Sequence, residues 1–216
     1  MTEHGTNAIF TIGHSDHDIQ RFMELLVGQG ISAVADVRSV PYSKFTPQFN
    51  RDQLKAALRL AHIRHIFLGN ELGARRSEPE CYVDGKARYE LIARAPRFKE
   101  GLCRLQEGMQ RYRVALMCAE KDPVTCHRAI LICRHLRPLG MRISHILDDG
   151  QIESQAEMEE RLLKLTGVEG EDLFSGRSEA IERAYDIQGE RIAYSSNGPP
   201  SEVAEVEHED IYNRLH

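Results

Sequence analysis

Apolar and polar positions along the first 150 residues follow two periods. Short apolar runs at 8–12, 33–37, 63–68, 114–117 and 143–147 have the length of strands. Between them the apolar spacing opens to the i, i+3, i+4 rhythm of amphipathic helices at 19–27, 52–60, 97–109 and 129–136. One longer connection is punctuated by Gly69, Gly73, Pro79, Gly85 and Pro96. Strands alternating with helices predict an α/β fold, a mostly parallel sheet of about five strands with helices on both faces. After Gly150 the pattern is helical alone, at 155–165 and 178–187, followed by a short run at 191–194. The chain is therefore expected to divide into an α/β domain (1–150), a helical C-terminal extension (151–194) and an acidic, mobile tail (195–216) where Pro, Gly, Ser and Glu dominate.

With 216 residues, 41% of them hydrophobic and 28% charged, the chain has the composition of an ordinary globular protein with one substantial core. No apolar run approaches membrane-spanning length and the start lacks a basic region followed by an apolar one, so a cytoplasmic protein without a membrane partner is expected. Five cysteines at uneven spacings read as reduced thiols, with Cys81, Cys103 and Cys133 expected in the core. The net charge of −5 conceals an asymmetry: residues 51–142 hold 19 Lys and Arg against 10 Asp and Glu, whereas residues 151–216 hold 6 against 16. A basic middle suits an anionic ligand, but an acidic extension folded across it cancels the same field, and internal pairing is favoured over nucleic acid.

Ligands of parallel sheets bind beyond the carboxyl ends of the strands. At those ends stand Gly13-His14-Ser15, Asp36 to Ser39, Gly69 to Gly73, Cys118 to Glu120 and Asp148-Asp149. The richest segment runs from Leu116 to Arg128, an apolar strand entering, a helical pattern leaving, and two thiols, a carboxylate, an imidazole and a guanidinium between. Cys126, placed at or before the first helical turn beside His127 and Arg128, has the setting that lowers a thiol pKa. Cys118 suits a buried thiol as well as an active one. Glu120 suits general acid or base work, and Arg128 an oxyanion or a salt bridge to Glu120 or Asp36. Asp36 and Arg38 alternate with Val37 and Ser39 and so share a face. Ser15 or Asp16 is expected to cap the following helix, and His14 is a lone imidazole just past a strand.

Thr11-Ile12-Gly13-His14-Ser15, Asp36-Val37-Arg38-Ser39 with Pro41-Tyr42-Ser43-Lys44-Phe45, and Met117-Cys118-Ala119-Glu120 with Cys126-His127-Arg128 together resemble the bacterial family called domain of unknown function 488. Leu68-Gly69 and Glu71-Leu72-Gly73 also fit, and Asp172-Leu173-Phe174 and Gln188 to Tyr194 look like the tail of its longer members. The resemblance spans about residues 8–150 and implies no particular reaction or cofactor.

Three chemistries are expected to compete. The first is an enzyme whose catalytic candidates are Glu120, Cys126, Arg128, Asp36 and Cys118, with His14, Ser15, Arg38, Tyr42, Ser43 and His127 binding an anionic or nucleotide-like small molecule and no residue assigned to a metal. Its layout is loosely similar to the rhodanese and cysteine-phosphatase design, but Cys118 lies ten residues before Arg128 and Cys126 only two, so a Cys-x5-Arg loop is absent. The second is a zinc or iron site using Cys118, Cys126 and His127, with Glu120 or His14 joining. Its spacing matches no familiar framework, and neighbours on a helix diverge. The third is a non-catalytic module holding nucleic acid or a nucleotide, with Tyr42, Phe45 and Phe49 interleaved with Lys44 and Arg51. The enzyme reading predicts that His14, Asp36, Arg38, Glu120 and Arg128 face one cleft. Cofactor and oligomeric state are left open.

Overall fold

A computed structural model describes residues 7–169 and 176–196. The tail expected from residue 195 onward lies, beyond Ser196, outside the described residues, as does Asp172-Leu173-Phe174. In chain order the elements are β1 (Ala8–Gly13), α1 (Ile19–Gly28), β2 (Ala33–Asp36), α2 (Arg51–Leu60), β3 (Arg64–Phe67) and α3 (Gly69–Leu72). A small hairpin of β4 (Tyr82–Val83) and β5 (Lys86–Ala87) precedes α4 (Tyr89–Arg94), α5 (Pro96–Met109) and β6 (Val114–Cys118). A π-helical stretch (Arg128–Cys133) runs into α6 (Arg134–Leu136), and β7 (Arg142–Ile146), β8 (Ile152–Ser154), α7 (Gln155–Thr166) and α8 (Arg177–Ile192) complete the chain.

The main sheet has six strands in the order β3-β2-β6-β1-β7-β8. The first five are parallel, and β8 is antiparallel to β7. The α/β prediction is therefore met, with one more strand than expected. Three residues at a sheet edge are too short a run for periodicity to register. Because β1 leads to β2 across the place that β6 later fills, the sheet's central strands end side by side, with Gly13 opposite Cys118 and Asp36 opposite Met117. This central gap is where parallel sheets bind ligands.

Alternation along each strand feeds two cores. Phe10, Ile12, Val34, Ala115, Met117 and Ile146 pack under α1 and α2, whose apolar stripes supply Phe22, Leu26, Leu54 and Leu58. Ile9, Ala35, Val37, Leu116, Cys118 and Ile143 face the other way, onto α5, the π-helix, α7 and α8. The C-terminal helices belong to this second core, in which Met158, Leu162, Ala184 and Tyr185 are fully buried. All five cysteines are free; Cys81 and Cys133 are buried as expected, but Cys103 is exposed. The cap of α1 is Asp18, which accepts from the Arg21 N–H at 2.7 Å, and neither Ser15 nor Asp16. Among the described residues no helix is long and apolar enough to cross a membrane.

Candidate metal centre

β6 delivers Cys118, the last residue of a fully buried strand, to the bottom of a cleft. The chain then makes a wide loop. Asp122 caps a single 3-10 turn (Pro123–Thr125), accepting from the Val124 N–H at 3.0 Å, and Cys126 follows in an extended conformation, φ −125° and ψ 137°. The expectation that Cys126 and His127 diverge as helical neighbours therefore does not hold. Cys126 stands before the helix and His127 begins it, so both side chains turn inward. Cys126 acts as the helix's N-cap: its Sγ accepts from the Arg128 N–H at 3.4 Å, and its carbonyl from the amides of Ala129 and Ile130. The helix expected here is wound wide as a π-helix over its first six residues, all buried, a distortion often found at functional sites.

The loop is held from beneath by Arg128, whose side chain is fully buried. Its guanidinium donates to the carbonyls of Glu120 at 2.5 Å and Lys121 at 3.0 Å, and its Nε to Thr11 Oγ1 at 3.4 Å. Arg128 is therefore committed to shaping the loop and forms neither of the salt bridges weighed from sequence. Gly13 lies against the same loop: a Cβ there would stand 2.0 Å from the Glu120 carbonyl oxygen. Lys121 pairs with Asp148, which also lies 3.0 Å from His17.

Folded this way, Cys118 Sγ, Cys126 Sγ, His127 Nδ1 and a Glu120 carboxyl oxygen all lie within 4.8 Å of one another. Cys126 Sγ donates to Glu120 Oε2 at 2.9 Å, and Cys118 Sγ is 3.5 Å from His127 Nδ1. Ligands on a tetrahedral zinc with bonds of about 2.0–2.3 Å are separated by about 3.3–3.8 Å, so these gaps are close to those of a ligand set. The ring of His127 is already oriented. Its Nε2–H donates to the Val37 carbonyl at 3.1 Å, which leaves Nδ1 as the free lone pair facing the thiols. Anchoring the remote nitrogen on a backbone carbonyl is the usual support of a metal-binding histidine.

The four groups are electrostatically coupled. Burial alone raises the Cys126 thiol, but the Cys118 hydrogen bond, the Arg128 charge and His127 outweigh it and hold Cys126 well below the ordinary thiol range. Burial and the neighbouring Cys126 push Cys118 up. Glu120 is raised by burial of its carboxyl and by Cys126, although the rest of the residue is exposed. His127 is raised despite its burial, by the hydrogen bond and charge of Cys126 and by Glu120. Such mutual dependence is what titratable groups crowded round one point produce.

The cleft above the cluster has a volume of about 290 Å³. Arg38, Cys118, Glu120 and His127 line it, while Cys126 lies behind its wall. The other expected binders stay outside the lining. By the alternation of β2, Asp36 points with Val34 toward the α1–α2 face, opposite to the face that carries Arg128, so the expected five-residue wall is divided by the sheet. There Asp36 takes a paired hydrogen bond from Arg38 at 2.9 and 2.7 Å; burial opposes its ionisation, but these bonds and His65 hold its pKa below the usual value. His14 is stacked on Phe49 and donates from Nδ1 to the Ser15 carbonyl at 2.8 Å, so its Nε2 accepts from Arg38 at 3.3 Å. Burial and the Arg38 charge lower His14 to about 4, leaving it neutral. Ser15 bonds Asp16, and Ser43 Oγ accepts from the amides of Phe45 and Thr46, building a turn on which Tyr42 is half exposed.

Among the lining residues that went unselected in the sequence are Arg75, Tyr89, Ile192 and Tyr194. Arg75 stacks over the Tyr194 ring at 4.7 Å, so the end of the C-terminal extension forms part of the cleft wall. The only signal for it was the family-like run from Gln188 to Tyr194. A sequence profile described as Domain of unknown function DUF488 matches residues 18–134, more than half of the chain. No curated protein and no solved structure matches at a significant level.

Proposed function

Because the chain belongs to the domain of unknown function 488 family, whose description assigns no reaction, its chemistry has to be read from the site, and we propose that Cys118, Cys126 and His127 hold a zinc or ferrous ion with Glu120 as a fourth, exchangeable ligand, at the floor of a cleft for a small anionic or nucleotide-like molecule. The observation that carries this reading is the convergence of the four donor atoms within 4.8 Å, with the imidazole already tethered through its far nitrogen. Two thiolates and an imidazole are a ligand set of catalytic zinc sites, in which a fourth position stays open to water or substrate. Glu120 lies on the cleft side and, although its carboxyl is buried, is the one member whose residue is otherwise exposed, so it is assigned as the ligand a substrate displaces. A divalent ion here supplies Lewis acidity toward an oxygen ligand.

Protein purified without chelator is expected to contain about one zinc or iron per chain, and Cys126→Ser and His127→Ala to lose it. A wild-type protein that carries none, and takes up none from added zinc or from ferrous iron under anaerobic conditions, overturns the proposal.

A second reading rests on the 2.9 Å bond between Cys126 and Glu120, which suits a thiol nucleophile and its base. Against it, Cys126 is 1% exposed and absent from the cleft wall. Alkylation separates the two readings. A metal thiolate resists labelling until chelator is added, whereas a nucleophile with a lowered pKa labels at neutral pH without it, faster than a free thiol of pKa about 8.5.

A further inference from the structure

The cleft that Cys118, Glu120 and His127 line also holds a polar side chain that makes no hydrogen bond among the described residues. Tyr89, the first residue of α4, is only 8% exposed, and its hydroxyl, which no hydrogen bond engages among the described residues, is not fully sealed but keeps some access to solvent. Buried tyrosines ordinarily find a partner for that group. Tyr185, which is fully buried, shows the contrast, since it donates to Glu159 at 2.8 Å and accepts from Gln155 at 2.5 Å. The Tyr89 ring is set in place: Gly189 of α8 lies so close that a Cβ there would stand 3.2 Å from its Cδ2. Burial keeps the phenol protonated well above its ordinary range. The group therefore acts as a donor, and the place it can donate into is the cleft it shares with Cys118, Glu120 and His127.

We propose that the Tyr89 hydroxyl is the hydrogen-bond donor to a small anionic ligand bound at the cleft-side position of the metal, where it takes the place of Glu120. This rests on the metal reading above and names a residue and a ligand class for that site. A neutral donor fixed beside the open position selects ligands with a lone pair on the atom next to the metal, carboxylate and hydroxide oxygens among them, over ligands without one.

The test uses the full chain loaded with cobalt(II), whose visible absorption reports coordination, and azide as the anionic probe. Wild type and Tyr89→Phe are both expected to bind one cobalt with similar spectra, because the phenylalanine ring keeps the packing against Gly189. Azide affinity is expected to fall about tenfold or more in Tyr89→Phe, the worth of a hydrogen bond to a charged partner, and to change less than twofold in Tyr112→Phe, which lies outside the cleft lining. Equal azide affinity in wild type and Tyr89→Phe overturns the role of Tyr89 while leaving the metal site intact. Loss of cobalt from Tyr89→Phe alone also overturns it, and makes the residue a packing element. A cobalt-loaded wild type that does not respond to azide overturns the exchangeable position, and failure of wild type to bind cobalt overturns the metal reading together with this one.

Discussion

Single side chains around the cluster are fixed by partners that leave one protonation state each, and His145 shows this most fully. Its Nε2 faces Gln155 Oε1 at 3.0 Å and its Nδ1 faces Thr11 Oγ1 at 2.8 Å. The Gln155 amide nitrogen already donates to Tyr185 and Glu159, so its oxygen must accept from His145 Nε2–H. Nδ1 then accepts from the Thr11 hydroxyl, whose oxygen in turn receives Arg128 Nε. A proton on Nδ1 breaks this chain directly behind the residue that shapes the 120–126 loop. Burial, and next to it the Arg128 charge, lower His145 to about 3. Its folded pKa is thus below the unfolded value of about 6.5. The unfolded chain binds the proton first, so the contribution of His145 to stability is complete above pH 6.5 and is lost as the pH falls from there toward 3. Urea unfolding is expected to show wild type losing stability relative to His145→Gln, with a slope of about 1.4 kcal/mol per pH unit between pH 6 and 4. Parallel pH profiles for the two proteins would show that His145 does not titrate in this way.

The same dependence recurs between elements, where the end of β1 supports the loop after β6. His14 and Ser15 donate their amides to the carbonyls of Cys118 and Ala119 at 2.9 Å each, and Gly13 makes room for Glu120. A methyl group at position 13 would meet backbone at 2.0, 2.8 and 3.2 Å, none of it able to rotate away. Gly13→Ala must therefore displace the loop that carries Glu120. It is expected to cost about 2 kcal/mol or more in denaturant unfolding and to weaken zinc binding beyond what the loss of stability alone produces. Unchanged zinc affinity in a folded Gly13→Ala protein would mean that the β1 end does not position the ligands.

This interplay explains what the sequence made legible at this scale. The strand-end rule located the cluster, because β1, β2 and β6 are continuous apolar runs whose ends are easily read. The helix-spacing argument misjudged Cys126 and His127, since Asp122-Pro123 inserts a 3-10 turn that leaves Cys126 extended. The β4–β5 hairpin was readable but unread: Asp84-Gly85, with φ of 51° and 76°, is the Asp-Gly pair that favours a tight hairpin turn. Tyr89 had no signal at all, since nothing near it in the chain distinguishes a cleft tyrosine from a core one.

Over the whole molecule, the charge asymmetry and the two-part hydrophobic pattern have one explanation, the packing of the acidic extension on the basic middle. Arg134 reaches Glu182 at 2.8 Å and Asp186 at 2.7 Å, Arg137 reaches Glu182, and Lys86 and Arg88 both reach Glu190. Part of the basic middle is in this way neutralised by the chain itself. These pairs are partly exposed and worth about 0–1 kcal/mol each, so they orient the extension more than they hold it. Burial holds it: Met158, Leu162, Leu163, Ile181 and Tyr185 are inserted into the core that contains the π-helix. At about 1.5–3 kcal/mol per buried side chain, their removal costs on the order of 10 kcal/mol, comparable with the whole stability of a domain. The sequence suggested a boundary near residue 150 because helix-only patterning begins there, but the hydrophobic faces on either side need each other. A chain ending at residue 150 would leave Ile132, Cys133 and Leu136, all fully buried in the intact protein, without their cover. Such a fragment is expected to lack a cooperative unfolding transition and to bind a dye for exposed apolar surface. It is also expected to bind zinc far more weakly than the full chain, because Gln188 Nε2, which donates to the Val124 carbonyl at 2.8 Å, and the residues that close the cleft are removed with the extension. A fragment that instead unfolds in one sharp transition and retains zinc would establish residues 1–150 as a domain in their own right and reduce the extension to a cover for the cleft.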